Sequence, residues 1–423
     1  MGRARTGVLA LLVGFAAMAA PIMGSSPSAG ADAPPGCPKV STFVVIDCNL
    51  SDPSNSHGMF AGAMERYGTG WIVAYMKDWT SGSTTYRAGY TSQNPNADPM
   101  SDAWGSIAQM WKPQDTDAQP GVIDPGLHVF GADVDVATEP SQIYSLHSTN
   151  PGTEDSFVTP AAQVVCTGDQ KPGCMSTEGS GHVAEVSLRP ADVPANGTVY
   201  AIYSFCPTSA GCSVDKPQEI HLRTVPKVIT DGQYAPWGSQ VVCARDSGWA
   251  NASGNDKGHH QRAVVVTLSR SGGRGTKMAC IYNHYEGGGA RTIGMTTSTD
   301  GSTWPSNGTV IAREPGFDLH NPYAIWMLGT SGTVRVYYQR YNYDGHCSGL
   351  GRNWTLNYVE SKDGGATWTM PLGSTCTGIT YPKEISSTSR PIFAQQKAGG
   401  HVYCMSTWIL VDTTILGIFD TQT

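Results

Sequence analysis

Apolar positions in this chain gather in short β-rich runs, each opened by a glycine and closed by a polar loop. Gly70 opens Trp71-Ile72-Val73-Ala74-Tyr75, Gly332 opens Thr333-Val334-Arg335-Val336-Tyr337-Tyr338, and Gly400 opens His401-Val402-Tyr403-Cys404. Gly197 begins a run through Val199, Tyr200 and Tyr203, and Gly275 one through Ile281 and Tyr282. A weaker copy is Gln142-Ile143-Tyr144. A further strand is expected before each run, starting at His57, His128, His182, His260, His320 and Arg390, a mean spacing of about 67 residues. Units of four short strands at a fixed period predict an all-β fold, a six-bladed β-propeller with four-stranded antiparallel blades. The last unit offers three strands, Arg390 to Gln395, His401 to Trp408 and Thr414 to Phe419. Lys39 to Ile46 precedes the first unit without a partner. Pairing these two ends would close the ring with an N-terminal strand and remove both open edges.

Composition agrees with many short strands. The chain of 423 residues holds 50 Gly, 27 Pro, 11 Trp and 18 Tyr, and only 14% of it is charged, too little for a disordered chain. Long Ala, Glu, Lys and Leu stretches are missing, which excludes a helical bundle. Net charge is −7 with no basic stripe, which argues against nucleic acid as a partner. Arg3 and Arg5 precede the apolar run Val8 to Ala20, and Ala29-Gly30-Ala31 offers a small-x-small cleavage site. Residues 1–31 are therefore expected to be a secretory signal peptide and 32–423 a single secreted domain. No later apolar run is long enough to span a bilayer.

Export makes the 11 cysteines disulfide formers, with an odd one left over. Short loops suggest Cys206–Cys212 and Cys166–Cys174. Cys347 and Cys376 fall on one face and can meet. Cys37 and Cys48 flank the expected closing strand, whose ends lie about 25 Å apart, beyond disulfide reach. No CxxC pair suggests zinc.

Ser361-Lys362-Asp363-Gly364-Gly365-Ala366-Thr367-Trp368 fits S-x-D-x-G-x-T-W, and Ser298-Thr299-Asp300-Gly301-Ser302-Thr303-Trp304 is the same pattern one residue shorter. The two tryptophans stand 64 residues apart, near the repeat period. In such a turn Asp caps backbone N–H groups, Gly takes positive φ, and Trp packs between strands. The pattern resembles the Asp-box (bacterial neuraminidase repeat) of the sialidase-like β-propellers. That resemblance implies a turn between a blade's third and fourth strands, at the end opposite the ligand pocket. Where that family opens blade one with Arg-Ile-Pro, this chain reads His57-Gly58-Met59, while Arg390-Pro391-Ile392 carries the residues permuted.

In a propeller the inner-strand starts and the loops between second and third strands converge on one pocket. The first set supplies His57, His128, His182, His260, His320 and Arg390, with Asp133 deeper in its strand. The loops supply Asp78 and Trp79, Tyr285 and Glu286, and Arg340, Tyr341 and Asp344. Cleaving a glycosidic bond needs a proton donor and a second group that stabilises the anomeric cation. Asp78, Glu286 and Asp344 are the carboxylate candidates. The resemblance implies an acid–base role for Asp78 and a nucleophile's role for Tyr341 or Tyr343. Trp79 and Tyr285 suit stacking on sugar faces. Asp318-x-His320-Asn321-Pro322 also resembles a strand start in propellers that include secreted uronate lyases, implying a His/Tyr elimination. The expected function is a glycoside hydrolase acting on an extracellular oligo- or polysaccharide. The alternatives are a polysaccharide lyase and a non-catalytic glycan- or protein-binding propeller. No cofactor is expected; a metal held by the histidine ring is the competing use of those residues.

Overall fold

The computed structural model describes residues 59–81, 84–97, 103–111, 116–120, 127–133, 142–148, 150, 162–166, 176–177, 182–191, 198–206, 219–225, 238–245, 263–271, 274–285, 291–305, 308–326, 332–341, 354–370, 379–380, 405–411 and 414–419. Among these every regular element is a strand. Sheet one runs β1 (Met59–Tyr67), β2 (Gly70–Ser81), β3 (Thr84–Asn94), β4 (Gly105–Trp111). Sheet two holds β5 (Thr116–Pro120), β6 (Leu127–Asp133), β7 (Gln142–Ser148), β8 (Ala162–Cys166) and β9 (Ser176–Thr177). Sheet three is β10 (His182–Ala191), β11 (Thr198–Cys206), β12 (Glu219–Val225), β13 (Val241–Arg245). Sheet four is β14 (Val264–Ser271), β15 (Arg274–Tyr285), β16 (Arg291–Ser298), β17 (Thr309–Ala312). Sheet five is β18 (Asp318–Trp326), β19 (Val334–Tyr341), β20 (Trp354–Ser361), β21 (Ile379–Thr380), and sheet six pairs β22 (Met405–Val411) with β23 (Thr414–Phe419). Neighbouring strands are antiparallel, apart from the parallel pair β8–β9.

Strands therefore pair in chain order, as short connections dictate. The first strand of each sheet touches the next: β1 meets β5, β5 meets β10, β10 meets β14, β14 meets β18, β18 meets β22, and β22 meets β1. Sheet two departs from the expected four antiparallel strands. Thr116–Pro120 precedes the strand of His128 and pairs with it, so β6 is its sheet's second strand. TDAQP carries no run of large apolar residues, which is why it reads as a connection. Lys39 to Ile46 and residues 390–404 lie outside the described residues, as does the expected signal segment.

Sheet four shows how the core forms. Successive side chains of a strand point to opposite faces. Val264, Val266 and Leu268 of β14 join Ala279 and Ile281 of β15 in a seam with Val334, Val336, Tyr338 and Val359 of sheet five. The alternate residues, Val265, Met278, Cys280 and Tyr282, face Tyr200, Ile202, Ile220 and Leu222 of sheet three. Both faces are covered, so its inner strands read as continuous apolar runs. Cys243 of β13 is bonded to Cys280 of β15, fastening the two sheets with Cα atoms 6.4 Å apart. Closing a loop of 37 residues contributes about 3–4 kcal/mol on a chain-entropy account. Sequence spacing did not reveal this pair, because two sheets must stack before the cysteines meet. Each of the expected disulfides has at least one member outside the described residues.

The two Ser-Asp-Thr-Trp turns also join sheets. Asp300 Oδ1 accepts the amides of Ser302 (2.8 Å) and Thr303 (2.7 Å), and Oδ2 accepts the Thr303 hydroxyl. Asp363 Oδ1 accepts the amides of Ala366 (3.0 Å) and Thr367 (2.9 Å). Gly301 (φ 73°) and Gly365 (φ 82°) take the left-handed conformation. A Cβ on Gly301 would stand 2.6 Å from the Tyr200 hydroxyl, and one on Gly365 2.5 Å from Leu268 Cδ1, each in the preceding sheet. Trp304 packs on the seam between sheets three and four, and Trp368 on that between four and five. Both turns follow their sheet's third strand. Arg291 and Ser298 stand at opposite ends of β16, about 24 Å apart.

These contacts predict the acid behaviour of the turns. The hydroxyl and amide of Thr367 bring the Asp363 carboxyl down to about 2, and the Thr303 and Ser302 amides draw Asp300 down as well. Both are depressed, so their contribution is whole above the ordinary carboxylate range near about 4 and is lost as pH falls through the folded values. Asp363→Asn should lower the melting temperature by a few degrees at neutral pH and flatten its acid decline toward about pH 2. Melting curves across the acid range check both.

Candidate functional site

Each of sheets one to five has an edge where its first strand begins, its second ends and its third begins. At this edge of sheets four and five stand Asp318 and His320 in β18, Arg291 opening β16, and Tyr285 and Tyr341 ending β15 and β19. Tyr341 pairs with both Asp318 and Trp354, and Tyr285 with Arg291. Asp318 and His320 are two residues apart on an extended strand, so both side chains lie on one face.

Three charged or titratable groups meet there. Asp318 Oδ1 accepts the Arg291 amide at 2.7 Å. Its Oδ2 lies 2.8 Å from His320 Nε2 and 3.4 Å from Arg291 Nη1. Arg291 Nη1 is in turn 3.0 Å from His320 Nδ1. Arg291 Nη1 also lies 3.2 Å from His320 Nε2, so it stands beside both ring nitrogens; the ionised Asp318 carboxylate only accepts, so His320 Nε2 donates to it. All three are largely buried, with Asp318 the most open at 16% side-chain exposure. Burial raises the Asp318 carboxyl, but His320, Arg291 and the Arg291 amide outweigh it and hold the group below its usual range. The cluster therefore keeps one ionised carboxylate, one oriented imidazole and one guanidinium at the rim. Asp318 appears in the sequence within a strand-start motif; Arg291 carries no local signal, because only sheet stacking brings it to Asp318.

A second cluster occupies the corresponding edge of sheet three. Glu219 opens β12, and Arg245, which ends β13, is its cross-strand partner. Arg245 Nε donates to Glu219 Oε1 at 2.6 Å, and His221 Nε2 lies 2.7 Å from Oε2. His221 is fully buried against Phe205 (ring centroids 4.6 Å) and Tyr203 (5.7 Å). Burial raises the Glu219 carboxyl, and the bonds from His221 and Arg245 more than reverse it.

The structure distributes the sequence candidates unevenly. His320 joins the first cluster. His182 opens β10 opposite Cys206. His128 departs from its expected place: it opens the second strand of its sheet and pairs with His147 at the edge away from the start of β5, whereas Asp133 ends β6 at that start, opposite Thr116 and Gln142. Asp78 and Trp79 lie within β2 rather than in a loop, because that strand runs on to Ser81; they pair with Arg87 and Tyr86. They remain at the same sheet edge, since Lys77 already faces Met59, the first residue of β1. His57, His260, Glu286, Asp344 and Arg390 lie outside the described residues.

Arg340 is a correction. Expected at the rim as a sugar-binding loop residue, it belongs to β19, where strand alternation puts it beside Val336 and Tyr338 on the core face. It is fully buried, with Nη1 2.6 Å from Glu314 Oε2 and its guanidinium 4.3 Å above the Phe317 ring. Glu314 Oε1 accepts from the Tyr338 hydroxyl at 2.6 Å and Asn357 Nδ2 at 3.0 Å. This is a structural ion pair between sheets four and five.

Among the described residues, no three His, Cys, Asp or Glu side chains gather to hold a metal ion. None of these residues forms a helix long and apolar enough to cross a membrane.

No family model matches the chain, and no curated protein matches it. Solved structures similar to it include a thermostable family-43 glycoside hydrolase, at 9% identity and TM-score 0.42 over 77% of this chain and 97% of that one. The GH43_1 enzyme from Xanthomonas citri complexed with xylose matches at 10% identity and TM-score 0.41, over 76% and 93%. The endo-arabinase from Bacteroides thetaiotaomicron matches at 10% and 0.36, over 74% and 95%.

The Arg340 correction has a measurable consequence. Arg340→Met leaves Glu314 buried without its cation and should cost about 3–5 kcal/mol of stability. Urea unfolding should show that loss, and an unchanged midpoint would contradict the structural role.

Proposed function

We propose that this chain is a secreted carbohydrate-active enzyme, a glycoside hydrolase on a six-bladed, sialidase-like β-propeller that acts on an extracellular glycan. The blade reading is supported by six sheets whose first strands touch in succession, β22 returning to β1. The two Ser-Asp-Thr-Trp turns, with their capping bonds, support the superfamily resemblance. The buried Cys243–Cys280 bond supports folding in an oxidising compartment, in line with the expected signal peptide.

The observation that carries the reading is the ionised Asp318 held beside His320 and Arg291 at the first-strand edge. Glycosidic cleavage builds positive charge on the anomeric carbon, and a fixed carboxylate in a partly dry site stabilises it. Asp318 cannot also be the proton donor, because its partners keep it ionised. That role falls to a second carboxylate, with Asp78, at the same sheet edge, and the sequence candidates Glu286 and Asp344 proposed for it. Tyr341, one strand across from Asp318, and Trp79 and Tyr285 are assigned to the sugar.

A second reading has its own observation. Arg291 against His320, with Tyr341 in register beside them, is also a set that could neutralise a uronate carboxylate and move its α-proton. A lyase built this way leaves an unsaturated product.

Turnover on charged and neutral polysaccharides, with product analysis, tests both. Asp318→Asn and His320→Gln should each lower turnover by about 10²–10⁴, with melting recorded alongside. Saturated reducing ends that vanish in Asp318→Asn support hydrolysis. An unsaturated product that vanishes in His320→Gln replaces it with elimination. Tight glycan binding without turnover by the wild type overturns both in favour of a binding propeller.

A further inference from the structure

Among the methionines whose side chains are described, Met278 and Met295 are buried in the seams on either side of sheet four. Met370 differs. It follows the second Ser-Asp-Thr-Trp turn and is only partly buried where it packs on the seam between sheets four and five. Its sulfur nevertheless reaches the interior, with Met370 Sδ 3.3 Å from the Tyr338 hydroxyl oxygen. That hydroxyl donates to Glu314 Oε1 at 2.6 Å, and Glu314 is the carboxylate of the fully buried pair with Arg340. One half-open side chain thus joins solvent to a buried network of charge.

A tyrosine hydroxyl has one hydrogen to give. Burial and the Glu314 carboxylate keep Tyr338 protonated. A thioether is a weak acceptor, so the hydrogen goes to Glu314 and the sulfur beside it is a spectator. A sulfoxide is not. Oxidation makes the side chain polar and chiral, and its new oxygen is a strong acceptor. The backbone holds the group in place, because Glu360 and Thr369 exchange both of their hydrogen bonds, at 2.8 and 2.9 Å, one residue before Met370. A sulfoxide oxygen here competes with Glu314 for the Tyr338 hydrogen. Glu314 then keeps Arg340 and Asn357 but loses a third donor, and a buried carboxylate is sensitive to such a loss.

We infer that Met370 is an oxidation site for a hydroperoxide, and that its sulfoxide loosens the seam between sheets four and five by drawing the Tyr338 hydroxyl away from Glu314. The step is balanced. The sulfur attacks one peroxide oxygen, the O–O bond breaks as an S–O bond forms, and the other oxygen leaves as water. Sulfur loses two electrons and the peroxide gains them. The inference is independent of the glycan reading, since it concerns the seam and not the rim.

Dilute hydrogen peroxide applied to the full chain, followed by peptide mass spectrometry and thermal melting, tests this. The Met370 peptide should take up one oxygen well before the peptides of Met278 and Met295. The melting temperature should fall by a few degrees as it does so. Methionine sulfoxide reductases, one for each epimer, should restore it. Met370→Leu keeps the apolar fill without the sulfur; it should melt like the wild type and lose most of the drop caused by peroxide. Met370→Gln, which sets an amide oxygen where the sulfoxide oxygen would stand, should show the drop with no peroxide. Tyr338→Phe removes the contested hydrogen, so it should melt lower from the start and fall less on oxidation. Equal oxidation of Met278 and Met370, oxidation of Met370 with unchanged melting, or a full drop in Met370→Leu would each overturn the inference.

Discussion

Asp318 is gripped from the neighbouring sheet by two parts of one residue, the amide and the guanidinium of Arg291. The grip fixes where β16 of sheet four begins relative to β18 of sheet five. It also settles the state of the groups around it. The carboxylate stays ionised and accepts the Nε2–H of His320. The proposed function at this edge depends on that constraint, because neither β16 nor β18 alone brings a cation to a carboxylate–histidine pair.

The same sheets place their charges by depth. Between them the seam is apolar, and an ion pair buried there, Arg340 with Glu314, is wrapped by Tyr338, Asn357 and Phe317 until no side-chain surface remains. At the first-strand edge the charged groups keep a small exposed fraction, as Asp318 does, or a large one, as Arg245 does. At the opposite end the Asp300 and Asp363 carboxylates are spent on backbone amides. Three environments thus give acidic residues three uses: closing a seam, presenting charge, and capping a turn.

The sequence made local features legible and left stacking hidden. Gly70 and His182 begin strands where the pattern placed them, and both Ser-Asp-Thr-Trp turns follow third strands, because those signals lie within a few residues. Thr116–Pro120 escaped notice since a short polar strand has no apolar period. Arg340 was misplaced because β19 runs on through Arg340 and Tyr341, whose polar character suggested a loop, and strand alternation then turns the arginine inward. Arg291, Glu219 with His221, and Cys243 with Cys280 stayed invisible for one reason. Each depends on strands far apart in the chain, or on neighbouring sheets, and no spacing rule reaches across either.

The central claim is that Asp318, His320 and Arg291 act on a substrate and do more than staple two sheets. A double-mutant cycle of Asp318→Asn and Arg291→Gln, read in both unfolding free energy and kcat/KM, separates these roles. The account predicts a coupling in kcat/KM clearly larger than the coupling in stability. Equal rates per folded molecule in all four proteins, with coupling in stability alone, would contradict it.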